Sequence, residues 1–171
     1  MPIPFSLALL SLLLVGADRP SEKLNPETLA ASLLPGFVVD LQAEESILAE
    51  VNRIRGKRGL VKLRLNSELR DIARSHSSEM AKLGFLSHVD FDRRDLRRRL
   101  SVLRMGTWRS AAENLARMEN RHPVAPRAVE GWLSNPDHRR NLLGSRYTQT
   151  GVGAVRDAEG YLLLCQIFLE P

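Results

Sequence analysis

The apolar run at residues 161–169 constrains the fold more than any other part of this chain. Successive side chains of a strand point to opposite faces, so a strand that is apolar throughout needs cover on both sides of its sheet. Residues 148–156 also have strand character, and turn-forming residues at 157–160 separate the two runs. The sequence therefore predicts a hairpin whose second strand is central in a small sheet flanked by helices, an α+β fold.

Helices are predicted from apolar spacing together with start and stop residues. The clearest has Asn66 as its N-cap, an apolar stripe from Leu69 to Leu83, and Gly84 as its end. A second pattern is amphipathic with a very basic face, and Gly106 ends it. The predicted helices cover residues 41–56, 67–83, 92–104, 126–133 and 136–143.

The N-terminal residues are interpreted as an export signal followed by a linker. Residues 5–15 are nearly all apolar, and small residues follow as far as Ala17, which suits cleavage there. Residues 1–17 are predicted to be a signal peptide, 18–40 a linker and 41–171 the folded domain. This predicts a secreted or periplasmic protein. The alternative is a buried N-terminal helix.

Composition narrows the classes of protein further. Cys165 is the only cysteine, so no intramolecular disulfide can form, and its apolar neighbours indicate a small buried side chain rather than a nucleophile. The net charge of +5 favours anionic surfaces, but no nucleic-acid-binding motif accompanies it. We therefore expect no nucleic-acid partner.

Three polar residues stand out in separate segments: His88, Glu113 and His138. Two imidazoles and a carboxylate suit a cleft that holds a divalent cation or moves protons. They lie far apart in the sequence, so only the fold can bring them together. Their spacing names no substrate.

Seven segments have distinctive local patterns, which are, in chain order, Asn52–Arg55, His76–Met80, Phe85…His88, Ala112–Leu115, Trp132…Asn141, Gly151–Gly153 and Gln166–Phe168. In this order they resemble the CAP superfamily, the SCP-domain family of cysteine-rich secretory proteins, antigen 5 and pathogenesis-related 1 proteins. The resemblance covers residues 45–169 and is greatest to the short bacterial type without disulfides.

The resemblance implies a three-layer α-β-α sandwich with a small, mainly antiparallel central sheet and a large cavity. In many family members two histidines and two acidic residues line that cavity and can bind zinc or another divalent ion. By position, His88, Glu113 and His138 correspond to three of these four, which makes them the predicted metal ligands. Asn135 takes the second acidic position and joins the predicted ligand-binding cleft with a neutral amide.

Two functions remain open at this stage. One is a monomeric binding module whose cleft takes a small amphiphile, a cell-envelope component or a protein partner. The other is a metal-dependent hydrolase that uses the same cleft, where zinc-bound water could reach a pKa of about 7. There are three further alternatives. The cleft could bind a metal only transiently, it could be a polar network without a metal, or it could be vestigial in a structural surface protein.

Several other polar residues receive structural interpretations. His76 lies on an apolar helix stripe and is predicted to be a core histidine. Asn114 and Asn141 are expected to bind backbone groups near the site. The arginines from Arg93 to Arg99 are interpreted as a solvated helix face, with docking to an anionic surface as the alternative.

Overall fold

The computed structural model describes residues 37–102, 107–119 and 121–171. The predicted signal peptide, the first nineteen residues of the predicted linker and the predicted helix end at Gly106 lie outside these ranges. The described helices are α1 (Leu41–Gly56), α2 (Ser67–Leu83), α3 (Leu96–Val102), α4 (Val124–Ser134) and α5 (Pro136–Leu142). The described strands are β1 (Val38–Val39), β2 (Arg64–Leu65), β3 (Ser110–Glu119), β4 (Gln149–Arg156) and β5 (Tyr161–Glu170).

The described strands form one sheet in which β5 lies between β3 and β4, antiparallel to both. Two short strands share the outer edge of β4: β1 pairs with its end in antiparallel fashion, and β2 pairs with its start in parallel fashion. β1 falls inside the range predicted as a linker, so the sheet includes residues ahead of Leu41.

Both faces of β5 are buried, as the sequence predicts. Leu162, Leu164 and Phe168 pack into one apolar cluster with side chains of α1 and α4. Leu163, Cys165, Ile167 and Leu169 alternate with them and pack into a second cluster with α2. The chain is therefore an α-β-α sandwich with a mainly antiparallel sheet, and the predicted fold class is confirmed. No helix within the described ranges is long and apolar enough to cross a membrane.

The structure differs from the sequence prediction in two elements, α3 and β3. Residues 92–104 do not form one helix, because Asp90 to Arg94 make a tight turn in which Arg93 has φ of 63°, and α3 begins only at Leu96. β3 has no counterpart among the predicted elements. Its sequence contains alanines and polar residues rather than β-branched ones, and its strand conformation comes from ten-residue pairing with β5.

Arg55 joins the end of α1 to distant parts of the chain. Its fully buried guanidinium donates to the carbonyl oxygens of Val61 (3.0 Å), Leu142 (2.8 Å), Gly144 (3.1 Å) and Tyr147 (3.0 Å). Burial lowers the pKa of this group. One side chain thus satisfies the last carbonyl of α5 and three carbonyls of the neighbouring loops.

Gly151 and Gly153 allow α2 to lie directly on β4. A Cβ at Gly151 would come within 2.1 Å of the backbone nitrogen of Arg70, and one at Gly153 within 2.3 Å of the carbonyl carbon of Ala73. Both obstructing groups are helix backbone, which cannot rotate away. The helix and strand therefore meet at a distance that excludes any side chain at these two positions.

Gly151→Ala should lower the free energy of unfolding by about 3 kcal/mol, because the new methyl group pushes α2 off the sheet. The matched control is Gly131→Ala in α4, where nothing lies within 4 Å. That change should leave the stability equal or raise it by up to about 1 kcal/mol. Urea unfolding of both variants tests this, and equal stabilities would contradict the close approach of helix and strand.

Candidate functional site

The structure brings His88, Glu113 and His138 together from three elements. His88 lies on the loop between α2 and α3, Glu113 on β3 and His138 on α5. Nδ1 of His88 is 3.0 Å from Oε1 of Glu113. The two imidazole rings meet edge to face, with centroids 6.5 Å apart and planes at 65°. The result is a polar cluster, called the cleft from here on, in which the carboxylate is buried and the His88 ring is exposed.

Glu113 is buried, and its charge is balanced by Arg99. The Arg99 Nη2 atom donates to both carboxylate oxygens, at 3.1 Å to Oε1 and 2.8 Å to Oε2. The Cys165 thiol donates to Oε2 at 3.3 Å. Burial raises the pKa of the Glu113 carboxyl, but the His88 hydrogen bond and the Arg99 charge outweigh it and hold this pKa below its ordinary value. The group is therefore a carboxylate at neutral pH.

Arg99 is the site residue that sequence reasoning missed. The sequence pattern predicts that it lies on a solvated basic face, whereas the structure buries its side chain against Glu113. A signal was present: Leu96, Arg99 and Leu100 share the spacing of one helix face, so Arg99 lies on the apolar side of its own helix. The prediction of a solvated face is wrong for this one arginine.

Cys165 fits its predicted role as a small buried side chain. It lies on β5 and is fully buried. Burial, and next the charge of Glu113, raise the pKa of its thiol well above the ordinary value. A thiol of this kind is not a nucleophile at neutral pH.

The Glu113 carboxylate fixes the proton arrangement on His88. An ionised carboxylate only accepts hydrogen bonds, so Nδ1 of His88 must carry the hydrogen that lies between the two groups. In the neutral ring Nε2 then has a free lone pair. The hydrogen bond to the buried Glu113 orients the ring. The rest of the ring is open to solvent, because the His88 side chain is 59% exposed.

His138 is positioned at the start of α5. Asn135 is the N-cap of this helix, and its side-chain oxygen accepts from the backbone nitrogens of Asp137 (2.9 Å) and His138 (3.1 Å). Pro136 follows at the first helical position. The amide of Asn135, which the resemblance placed in the cleft, thus has a capping role. Burial, and next the charge of His88, lower the pKa of His138, which keeps its ring neutral at pH 7.

Two amides attach α5 to β3 beside the cleft. The side chain of Asn114 donates to the carbonyl oxygen of His138 at 3.0 Å. The side chain of Asn141 donates to Oδ1 of Asn114 at 3.0 Å and to the carbonyl oxygen of Glu113 at 3.3 Å. Their predicted structural roles are confirmed, and they set the separation between His138 and Glu113.

His76 is a buried core histidine, as predicted. Its Nε2 atom lies 2.8 Å from the carbonyl oxygen of Ser87, so it holds the residue immediately before His88. Burial, and next the charge of Arg99, lower the pKa of His76. It therefore positions the loop of the cleft without lining it.

The arrangement does not suit a metal held by all three predicted ligands. Within the described ranges, no group of three or more His, Cys, Asp or Glu side chains is placed to hold a metal ion. Both oxygens of Glu113 are already bound by Arg99, whose positive charge would repel a cation. The predicted zinc or other divalent ion stays a prediction.

Comparisons with known proteins agree with the fold. The model of the cysteine-rich secretory protein family, CAP, matches residues 48–168. A curated relative, the Bacillus subtilis (strain 168) uncharacterized membrane protein YlbC, is 36% identical over 118 residues, which are 69% of this chain and 33% of that protein.

Two solved bacterial structures are similar as well, each covering 76% of this chain at 28% identity. One is an extracellular protein containing an SCP domain from Bacillus anthracis str. Ames, with a TM-score of 0.65 and 41% of its own chain covered. The other is a cysteine-rich secretory protein from Staphylococcus aureus subsp. aureus Mu50, with a TM-score of 0.62 and 38% covered. The chain thus spans well under half the length of these three proteins.

Glu113→Gln should lower the free energy of unfolding by about 3 kcal/mol at pH 7, because it leaves the buried Arg99 without its counter-charge. The folded pKa of Glu113 is depressed, so the stability it contributes is present above pH 4.5 and is lost as pH falls through the lower folded value. The difference between wild type and variant should therefore shrink at acid pH.

Urea unfolding at several pH values measures this difference. Glu119→Gln is the control, since the Glu119–Arg121 pair is exposed and should contribute less than about 1 kcal/mol. A gap between wild type and Glu113→Gln that stays constant down to acid pH would contradict the ionised, paired carboxylate.

Proposed function

Because the chain belongs to the cysteine-rich secretory protein family, CAP, we propose that it is an exported binding module whose cleft takes a small amphiphile. The family match covers residues 48–168. Export is supported by the apolar N-terminal segment and by the similarity to a Bacillus anthracis protein described as extracellular. The amphiphile would come from the cell envelope or its surroundings.

The observation that carries this proposal is the orientation of His88. A buried carboxylate holds its Nδ1–H, while the rest of the ring is exposed beside the neutral ring of His138. In the neutral ring the free Nε2 lone pair accepts a hydrogen bond. The ligand group that fits is therefore a donor, such as a hydroxyl group, rather than a carboxylate.

The surroundings of His88 favour an amphiphile over a purely polar ligand. Leu86 and Val89 flank His88 on the same loop, and both are exposed. A ligand whose hydroxyl group reaches the imidazole can cover these side chains with an alkyl chain, which removes apolar surface from water. Since Arg99 already neutralises Glu113, this mode of binding needs no metal ion.

Titration calorimetry with 1-monododecanoylglycerol and methyl dodecanoate tests the proposal. The two share an acyl chain, but only the first carries hydroxyl groups. Wild type should prefer the glycerol ester by about threefold to tenfold, the worth of one net hydrogen bond. His88→Phe should keep the ring volume and lose the preference, because it removes the acceptor.

His122→Phe is the matched control, since His122 is exposed beside α4 and away from the cleft. Its preference for the glycerol ester should equal that of wild type. Equal affinity of wild type for the two esters would contradict the proposed role of His88.

An assay for hydrolysis of the same two esters distinguishes this proposal from the metal-dependent hydrolase. Release of free dodecanoate that stops when a chelator is added and that is lost in His138→Ala would favour the enzyme. No contact within the described ranges favours that alternative. The expected result is binding without turnover, with the same affinity before and after treatment with EDTA.

A further inference from the structure

An exposed apolar stretch follows α2 directly. Leu83, Leu86, Val89 and Phe91 are all exposed large apolar residues within nine positions, and Phe91 is 72% exposed. Single exposed apolar residues are ordinary, but a concentration of them on one segment indicates an interaction surface. Residues 83–98, which also hold the basic residues described below, are called the docking segment from here on.

Phe91 is held outward by a rigid turn. The backbone nitrogen of Asp90 donates to the carbonyl oxygen of Arg94, and that of Arg93 donates to the carbonyl oxygen of Asp90, both at 3.0 Å. The backbone nitrogen of Phe91 also donates to Oε1 of Glu79 at 3.2 Å. These hydrogen bonds fix the backbone that carries the exposed Phe91 side chain, so little backbone freedom remains to be lost on binding.

The same segment carries four arginines and three aspartates, a net formal charge of +1. Asp90 and Asp92 both contact Arg94, at 2.7 and 2.8 Å, and Asp95 accepts a hydrogen bond from the backbone nitrogen of Arg98 at 2.8 Å. Arg93, Arg97 and Arg98 are exposed, and no carboxylate among the described residues forms an ion pair with them. The guanidinium of Arg97 instead lies over the ring of Trp108, 5.5 Å from its centroid. Exposed apolar groups at residues 83–91 are thus followed directly by exposed basic groups at residues 93–98.

We propose that the docking segment binds the surface of an anionic lipid bilayer. Guanidinium groups bind lipid phosphates, and exposed Phe and Leu side chains enter the boundary between headgroups and acyl chains. An anionic polysaccharide would use the arginines but leave Phe91 in water. A bilayer is the partner that uses both kinds of side chain. This proposal is independent of the ligand proposed for the cleft.

Docking in this way would set the mouth of the cleft at the lipid surface. His88 lies between Leu86 and Val89 within the docking segment, so its exposed ring would face the headgroup region. An amphiphile could then pass between the bilayer and the cleft over a short distance.

Co-sedimentation of the full chain with vesicles tests the proposal. Wild type should bind phosphatidylcholine vesicles that contain phosphatidylglycerol more strongly than vesicles of phosphatidylcholine alone. Arg93→Asn combined with Arg98→Gln should weaken binding to the anionic vesicles by about 30-fold. Asn tolerates the positive φ at position 93, and both sites are exposed. Phe91→Ser alone should weaken binding by about tenfold.

A matched control removes one apolar group and two charges from another part of the surface: Val61→Ser, Arg58→Gln and Arg64→Gln, all exposed. Its binding should equal that of wild type. Residues 1–17 are present in every protein compared, so any binding through them is common to all. Circular dichroism verifies that each variant is folded.

Three outcomes would overturn the proposal. One is equal binding of wild type to the two kinds of vesicle. Another is an equal loss in the control variant. The third is a loss in the arginine variant with none in Phe91→Ser, which would indicate a polyanion that contacts charge alone.

Discussion

The burial of β5 on both faces is the constraint from which the rest of the arrangement follows. Its side chains alternate between two apolar clusters, so helices must cover the sheet on both sides. Glycines in β4 let α2 approach until backbone meets backbone. β3 pairs with the remaining edge of β5 over ten residues, which carries Glu113 into the interior. The pairing of β3 with the central strand therefore places the Glu113 carboxylate in the protein interior, where the site forms around it.

A buried carboxylate needs a counter-charge, and here the protein supplies one from its own chain. Arg99 contacts both oxygens of Glu113 and also donates to the carbonyl oxygen of His88 at 3.2 Å. The Arg99 side chain thus neutralises the Glu113 carboxylate and also holds the loop that carries His88. In this geometry Glu113 orients an imidazole, which is a different task from coordinating an ion. The two imidazoles remain the groups presented to a ligand.

The sequence predicted the features that depend on local periodicity and missed those that depend on distant partners. The apolar run of β5 and the capped α2 have patterns that extend over many residues, and both were identified. β3 could not be found from propensity, because pairing with β5 makes it a strand. The tight turn at Asp90–Arg94 and the burial of Arg99 likewise arise from tertiary contacts. The convergence of His88, Glu113 and His138 was expected only through the resemblance to a family.

The two walls of the cleft differ in how firmly they are attached. The wall with His138 is fastened twice, by the amides of Asn114 and Asn141 and by Arg55, which binds the last carbonyls of α5 to the end of α1. The wall with His88 is a loop, held by side chains: His76 and Arg99 bind its carbonyl oxygens, and Glu113 binds the His88 ring. The two rings thus have unequal support, because a helix has hydrogen bonds of its own and a loop is the part of a fold where local opening costs least. A ligand that needs a wider gap between the rings would displace the loop before the helix.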